Sequence, residues 1–263
     1  MELSSIEMQK IESEMLKCVA DICIKNNLIY FAGYGTCLGA VRHQGSIPWD
    51  TDVDIIIPFN QLDDFVKIVR AELPKKFFLD FHDINPFYTA TFPRIGLTGY
   101  SSVHLHVDIF LMCGLPKDLE AQKEFYNKTK QLAKIHLYKR AHPYYRGEES
   151  IKKKIKMWML KLKYLLISEQ VIRSTFYEYC NKYEIKNSDF VVNPSGGYGH
   201  REIIPRKYFD NAARIPYDNF MVNVPQDKEL YLKHFYKDYM TLPPEHMRVV
   251  KDSYEIRELN LPT

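Results

Sequence analysis

Residues 33–58 read G-Y-G-T-C-L-G-A-V-R-H-Q-G-S-I-P-W-D-T-D-V-D-I-I-I-P, and the last six decide the fold. Val53, Ile55, Ile56 and Ile57 are β-branched and stop at Pro58, which predicts a short buried strand. Residues two apart in a strand share a face. Asp52 and Asp54 therefore point one way, and Val53 and Ile55 the other. Two adjacent carboxylates entering a buried strand repel each other and resist desolvation. A divalent cation relieves both costs, and magnesium favours carboxylate oxygens while keeping substrate phosphate as a further ligand. The plain alternative is a loop of solvated aspartates ahead of a strand. The turn Gly33-Tyr34-Gly35-Thr36 favours the first reading, because backbone amides in such a turn can cradle phosphate.

A second strand pattern follows downstream. Residues 102–111 read S-V-H-L-H-V-D-I-F-L with period two. Val103, Leu105, Val107 and Ile109 fall on one face, and His104, His106 and Asp108 on the other. Such a strand can be half exposed. Placed beside the first, it would bring Asp108 to Asp52 and Asp54 and complete a three-carboxylate site suited to phosphoryl transfer.

A glycine-threonine turn, D-x-D on one strand and a lone Asp on a later strand resemble the nucleotidyltransferase superfamily. Within it, residues 35–54 are similar to the LicD family of phosphocholine transferases, whose hallmark is close to G-T-L-L-G-A-V-R-H-x-G-x-I-P-W-D-D-D-I-D. Val107-Asp108-Ile109-Phe110 is similar to that family's D-I-F segment. Tyr236-Lys237-Asp238-Tyr239-Met240-Thr241-Leu242-Pro243-Pro244 is similar to its C-terminal Y-G-D-Y-M-x-x-P-P. Thr51 and Lys237 depart from the pattern and remove no carboxylate assigned to metal.

The resemblance implies an α/β fold: a nucleotidyltransferase-like mixed sheet flanked by helices, with a mainly helical C-terminal portion. It implies magnesium, or manganese, held by Asp52, Asp54 and Asp108. The reaction it implies moves phosphocholine from CDP-choline to a hydroxyl of a glycan or lipid-linked glycan, releasing CMP. The acceptor would be a bacterial teichoic acid, lipopolysaccharide or capsule precursor. Asp108 would also take the acceptor proton, with His106 as rival. Gly35 and Thr36 would hold a phosphate, and Asp50 would be a direct or outer ligand. Enzymes of the same fold use CDP-ribitol or CDP-glycerol instead. A nucleotidyltransferase releasing pyrophosphate, and a non-catalytic membrane-associated partner protein, are the readings from other classes.

Choline cannot donate hydrogen bonds and is recognised by aromatic faces. Trp49, Phe87, Tyr88, Tyr144 and Tyr145 are the candidates from loops. Residues 36–43 predict a short helix with its positive end at the turn. Arg42 and His43 near its end are candidate phosphate contacts, with a solvated surface arginine as the alternative for Arg42. Arg94, late in an expected strand over 89–95, is either a diphosphate contact or half of a structural ion pair. A second glycine-rich loop over 193–201 ends in His200 and Arg201, which would close over substrate unless the loop is an ordinary connection.

The chain has 263 residues, is 46% hydrophobic and carries a formal charge of +3. That allows one sizeable domain and argues against disorder and against a nucleic-acid binder. Residues 1–115 read as the core and 116–263 as the helical portion, with no linker between them. Further strands are expected over 28–32, 77–81 and 220–224. Helices are expected over 4–26, with a Ser4/Glu7 capping box, and over 60–73, 117–142, 168–183 and 226–239. Residues 151–167 predict a basic amphipathic helix. Ile151, Ile155, Trp158, Met159, Leu162, Leu165 and Leu166 form its stripe, and six lysines cover much of the rest. It would lie against an anionic membrane, or cover a core with its lysines wet. Cys18, Cys23, Cys37, Cys113 and Cys180 form no metal or disulfide pattern. With no signal peptide or membrane span, the expected place is the cytoplasm, peripheral to the inner face of the plasma membrane.

Overall fold

The computed structural model describes residues 1–85, 88–103, 105–140, 155, 158–159, 162–249, 253–256 and 258. Phe87, His104, Tyr144, Tyr145 and the rest of the 142–147 loop, and Ile151, Lys152, Lys153, Lys154, Lys156 and Lys161 of the basic segment, lie outside them.

The apolar run after the D-x-D forms β3 (Val53–Pro58), the antiparallel partner of β2 (Phe31–Ala32) and the parallel partner of β6 (His106–Gly114). The far side of β6 pairs antiparallel with β5 (Arg94–Leu97), and β5 with β4 (Phe77–Asp80). Near its end β6 also pairs with β7 (Phe190–Val192), which carries β8 (Ile203–Pro205). These seven strands form one mixed sheet. The C-terminal portion thus adds strands to it as well as helices. Its hairpin of β9 (Ala212–Tyr217) and β10 (Phe220–Pro225) forms a separate ribbon, and β1 (Glu2–Ser4) pairs with β11 (Ser253–Glu255). β6 is not half exposed: eight of its nine residues are buried, so both faces are covered.

The helix α1 (Ser5–Lys25) starts at the expected capping box, with the Glu7 amide donating to Ser4 Oγ and the Ser4 amide to Glu7 Oε2 at 2.8 Å. Met15, Leu16 and Val19 are fully buried, and α1 packs on β3 and β6. α2 (Tyr34–Arg42) carries the glycine-threonine turn, and α3 (Leu62–Glu72) buries Leu62, Phe65 and Val69. α4 (Leu119–Arg140) and α5 (Glu169–Cys180) pack together through Phe125, Ile135, Ile172 and Phe176, and α6 (Lys228–Tyr236) packs on α2.

Three expected strands start later than the pattern suggested, the one expected over 28–32 only at Phe31. The strand expected over 89–95 begins at Arg94, directly after Pro93, which has no amide to give a ladder. The strand expected from Ser102 begins at His106. Ser102 Oγ instead donates to Asp80 Oδ2 at 2.5 Å, and its carbonyl accepts from Arg94 Nη1 at 3.3 Å. All five cysteines are free.

Candidate active site

The sheet register builds the site. Asp54 of β3 is opposite Asp108 of β6, and Asp108 is opposite Arg94 of β5. The start of α2 pins this row from above. The Asp54 amide donates to Thr36 Oγ1 at 2.8 Å, and the Gly33 amide donates to the Asp54 carbonyl at 2.9 Å. A side chain at Gly35 would put its Cβ 2.6 Å from Asp50 Oδ2, so glycine there lets the turn meet the carboxylates.

These elements open a cleft of about 570 Å³. Gly35, Arg42, Trp49, Asp50, Asp52 and Asp54 line it, all expected from the sequence. Thr36 lies beneath, 3% exposed, and His43 sits at the rim with its ring edge against Trp49.

The electrostatics are those of crowded carboxylates. Burial, with the charges of Asp52, Asp108 and Asp50, pushes Asp54 well above the carboxylate range. Burial and a hydrogen bond to Asp52 push Asp50 up to about 8. Asp108 goes the other way. Burial would raise it, but Arg94 Nε at 2.5 Å and His106 Nε2 at 3.3 Å hold it low. Arg94 therefore takes the ion-pair role foreseen as its alternative. His106 Nδ1 is buried without a partner. Neither Asp108 nor His106 lines the cleft; they stand in the sheet row beside Asp54.

Glu12 of α1 joins this group unforeseen. It is 1% exposed, its Oε1 has no partner, and it shares a small hollow with Thr36, Asp50 and Asp52. Burial and those aspartates raise it well above the usual range. An all-oxygen set with this excess of negative charge fits a hard divalent cation. Among the described residues no three acid, imidazole or thiol groups are gathered into a ready cage. The fit is therefore to a cation that also takes oxygens from a bound phosphate.

The cleft is also lined by aromatic residues, Tyr34, Phe110, Tyr198, Tyr236 and Tyr239, and by Asp238 and Thr241. Four of these, Tyr236, Asp238, Tyr239 and Thr241, belong to the C-terminal segment already singled out by its pattern. Tyr198 belongs to the second glycine-rich loop, whose Gly196 and Gly197 also reach the cleft. That loop hangs on Glu202, which is fully buried. Glu202 accepts from the Tyr34 hydroxyl at 2.5 Å and the Tyr198 amide at 2.9 Å, and Asn193 Nδ2 donates to Tyr34 Oη at 2.8 Å.

Other expected contacts lie elsewhere. Tyr88 is buried with its hydroxyl donating to the Phe92 carbonyl at 2.6 Å. His200 pairs with Asn127 Oδ1 at 3.0 Å, and Arg201 lies over the Tyr198 ring at 5.2 Å; neither lines the cleft.

The sequence model of a family described as LicD/FKTN/FKRP, nucleotidyltransferase domain, matches residues 27–142, the segment carrying the turn, the D-x-D and Asp108. The lipopolysaccharide cholinephosphotransferase LicD of Haemophilus influenzae is 26% identical over 251 residues, 91% of this chain and 92% of that protein. Uncharacterized proteins of Rickettsia prowazekii and Rickettsia typhi are each 50% identical over 42 residues, 16% of this chain and 16% and 14% of theirs. The turn, the D-x-D and Asp108 all fall within the stretch that is similar to the nucleotidyltransferase domain of the LicD family, and the similarity to the Haemophilus influenzae protein extends over most of the chain.

Proposed function

We propose that this enzyme transfers phosphocholine from CDP-choline to a hydroxyl of a cell-surface glycan and releases CMP. The observation that carries the reading is a single cleft lined by Asp50, Asp52 and Asp54 together with Tyr236, Asp238 and Tyr239. The near full-length similarity to a lipopolysaccharide cholinephosphotransferase supports it. Asp52 and Asp54 would hold magnesium or manganese, with Asp108 completing the charge behind them. That ion supplies charge neutralisation on the diphosphate and the departing CMP. The Gly35 turn places its amides beside a phosphate. The acceptor oxygen forms a bond to the choline-bearing phosphorus as the bond to CMP breaks. Its proton passes to Asp54, which lines the cleft, with Asp108 and His106 in the sheet row behind it. The cationic head group meets the Tyr236 and Tyr239 rings and the Asp238 carboxylate.

The apolar residues 155–167 give the membrane reading its support. Trp158, Leu162, Leu165 and Leu166 are 63%, 58%, 66% and 98% exposed. No helix among the described residues is long and apolar enough to cross a membrane. A peripheral contact with anionic lipid at the inner membrane face, aided by the lysines of the same stretch, would bring the cleft to a lipid-linked acceptor. Cosedimentation with anionic and neutral vesicles checks this, and equal binding to both removes it.

Calorimetric titration with CDP-choline, CDP-ribitol and CDP-glycerol, each with and without magnesium, tests the donor. Magnesium-dependent binding of CDP-choline alone supports the proposal. Preference for a polyol donor removes the choline pocket, and pyrophosphate as product removes the transfer reaction.

A further inference from the structure

Arg42 lines the cleft, and Arg248 stands over Trp49 of the same cleft, near enough for the two positive charges to act on each other. Arg42, at the end of α2, donates from Nη1 to the Tyr239 carbonyl at 2.8 Å and from Nε to His43 Nδ1 at 3.4 Å. Arg248 donates from Nε to the Pro243 carbonyl at 2.6 Å, and its guanidinium lies over the Trp49 ring at 5.6 Å. Among the described residues neither forms an ion pair with a carboxylate. Each is fixed by neutral acceptors through a minority of its five N–H donors, which leaves the rest of the fork presented. With Nδ1 accepting, His43 carries its hydrogen on Nε2 and adds a neutral donor beside Arg42.

Two like charges held close cost energy unless something compensates. The cost is visible at Arg42, which burial and then the charge of Arg248 push below the usual arginine value. Clamping the 239–248 segment to α2 does not explain arginine at both positions, since one lysine ammonium would satisfy either carbonyl. Two planar forks beside an indole suit a tetrahedral oxyanion, which accepts bidentate bonds. We infer that Arg42, Arg248 and His43 form an anion subsite at this cleft, separate from the carboxylates, that takes a phosphate group. The phosphate belongs either to the nucleotide donor or to a phosphorylated acceptor. This deepens the transferase reading of the same cleft, and its test needs neither turnover nor metal.

The chain has two tryptophans, Trp49 and Trp158. Trp158→Phe leaves Trp49, under the Arg248 guanidinium, as the sole reporter. Inorganic phosphate titrated in EDTA, against chloride at matched ionic strength, should change Trp49 emission saturably. Arg42→Gln and Arg248→Gln should each weaken that response by about tenfold or more, and Arg248→Lys by less. If Arg42→Gln fails to fold, Arg248→Gln still decides, because its clamp joins residues only five apart. A response no different from chloride, or one unchanged in the arginine variants, overturns the subsite. CMP that displaces phosphate assigns the subsite to the donor. CMP that does not displace it assigns the subsite to the acceptor.

Discussion

Asp54 and Asp108 are direct register partners on adjacent parallel strands and both are buried, yet their affinities for a proton move in opposite directions. The difference is Arg94, register partner of Asp108 on its other side and bonded to its carboxylate. The row is graded: a neutralised carboxylate in the sheet and an uncompensated one facing the cleft. Asp54→Asn removes the uncompensated charge. Turnover should fall by about a thousandfold or more, while the metal-free protein should melt at a higher temperature than the parent. Magnesium should stabilise the parent and not the variant. Thermal melts with and without magnesium check this; a lower metal-free melting temperature in the variant would contradict it.

Glu12 gives a second charge effect, with the opposite pH sense from an ordinary carboxylate. Its folded pKa is raised by burial and by Asp52, Asp50 and Asp54. Its contribution is therefore full below the unfolded value near 4.5 and is lost as pH rises through the folded value. Glu12→Gln keeps the shape and drops the titration. In EDTA, urea unfolding should find parent and variant alike near pH ~5 and the variant more stable near pH ~8. Parallel pH profiles would remove Glu12 from the cluster.

Local chemistry made the first half of the site legible. β-branching marked β3, the Ser4/Glu7 pair marked the start of α1, and alternation put Asp108 and His106 on one face. What stayed hidden is non-local. Nothing near Glu12 in the sequence tells that helix position that Asp50 and Asp52 will pack on it. Tyr88 looked available as an aromatic face, but a carbonyl four residues on consumes its hydroxyl. β9 was not expected because its pattern carries Arg214 and Pro216, and its hairpin turns on Asp218 at φ 49°. Tyr236, Asp238 and Tyr239 were in plain view as a motif; only the fold reveals that they line one cleft with the aspartates.

His82 and the α4–α5 pair bring acid sensitivity of a different origin. Burial, ahead of the arginine charges nearby, holds His82 and His136 down to about 4 from 6.5. These bases are depressed, so the unfolded chain binds more protons between the two values. Stability is complete above about pH 6.5 and falls as pH drops toward about 4. For His136, 1% exposed between Glu169, Arg140 and Arg173, the loss reaches about 3 kcal/mol. Chemical denaturation from about pH 7 to about pH 4 should follow this slope. His136→Gln should flatten it, and an unaltered slope would move the effect elsewhere.

Glu202 tests whether the second glycine-rich loop matters to substrate. Its carboxylate takes both the Tyr34 hydroxyl and the Tyr198 amide, and it packs so closely on Gly196 that no side chain fits there. Tyr34 begins α2 at φ 40°, with its own amide donating to the Tyr231 hydroxyl at 3.0 Å. One buried group therefore ties the loop to the turn that carries Gly35. Glu202→Ala strands two donors and opens a cavity, and should cost about 2–4 kcal/mol. Glu202→Gln keeps an acceptor and should cost about 1 kcal/mol. If the loop positions substrate, Glu202→Gln should raise KM more than it lowers kcat. Tyr34→Phe, which removes one of the two tethers, should do the same in smaller measure. A purely structural tether would leave KM untouched at temperatures where both variants are folded, and steady-state kinetics below their melting transitions separate the two roles.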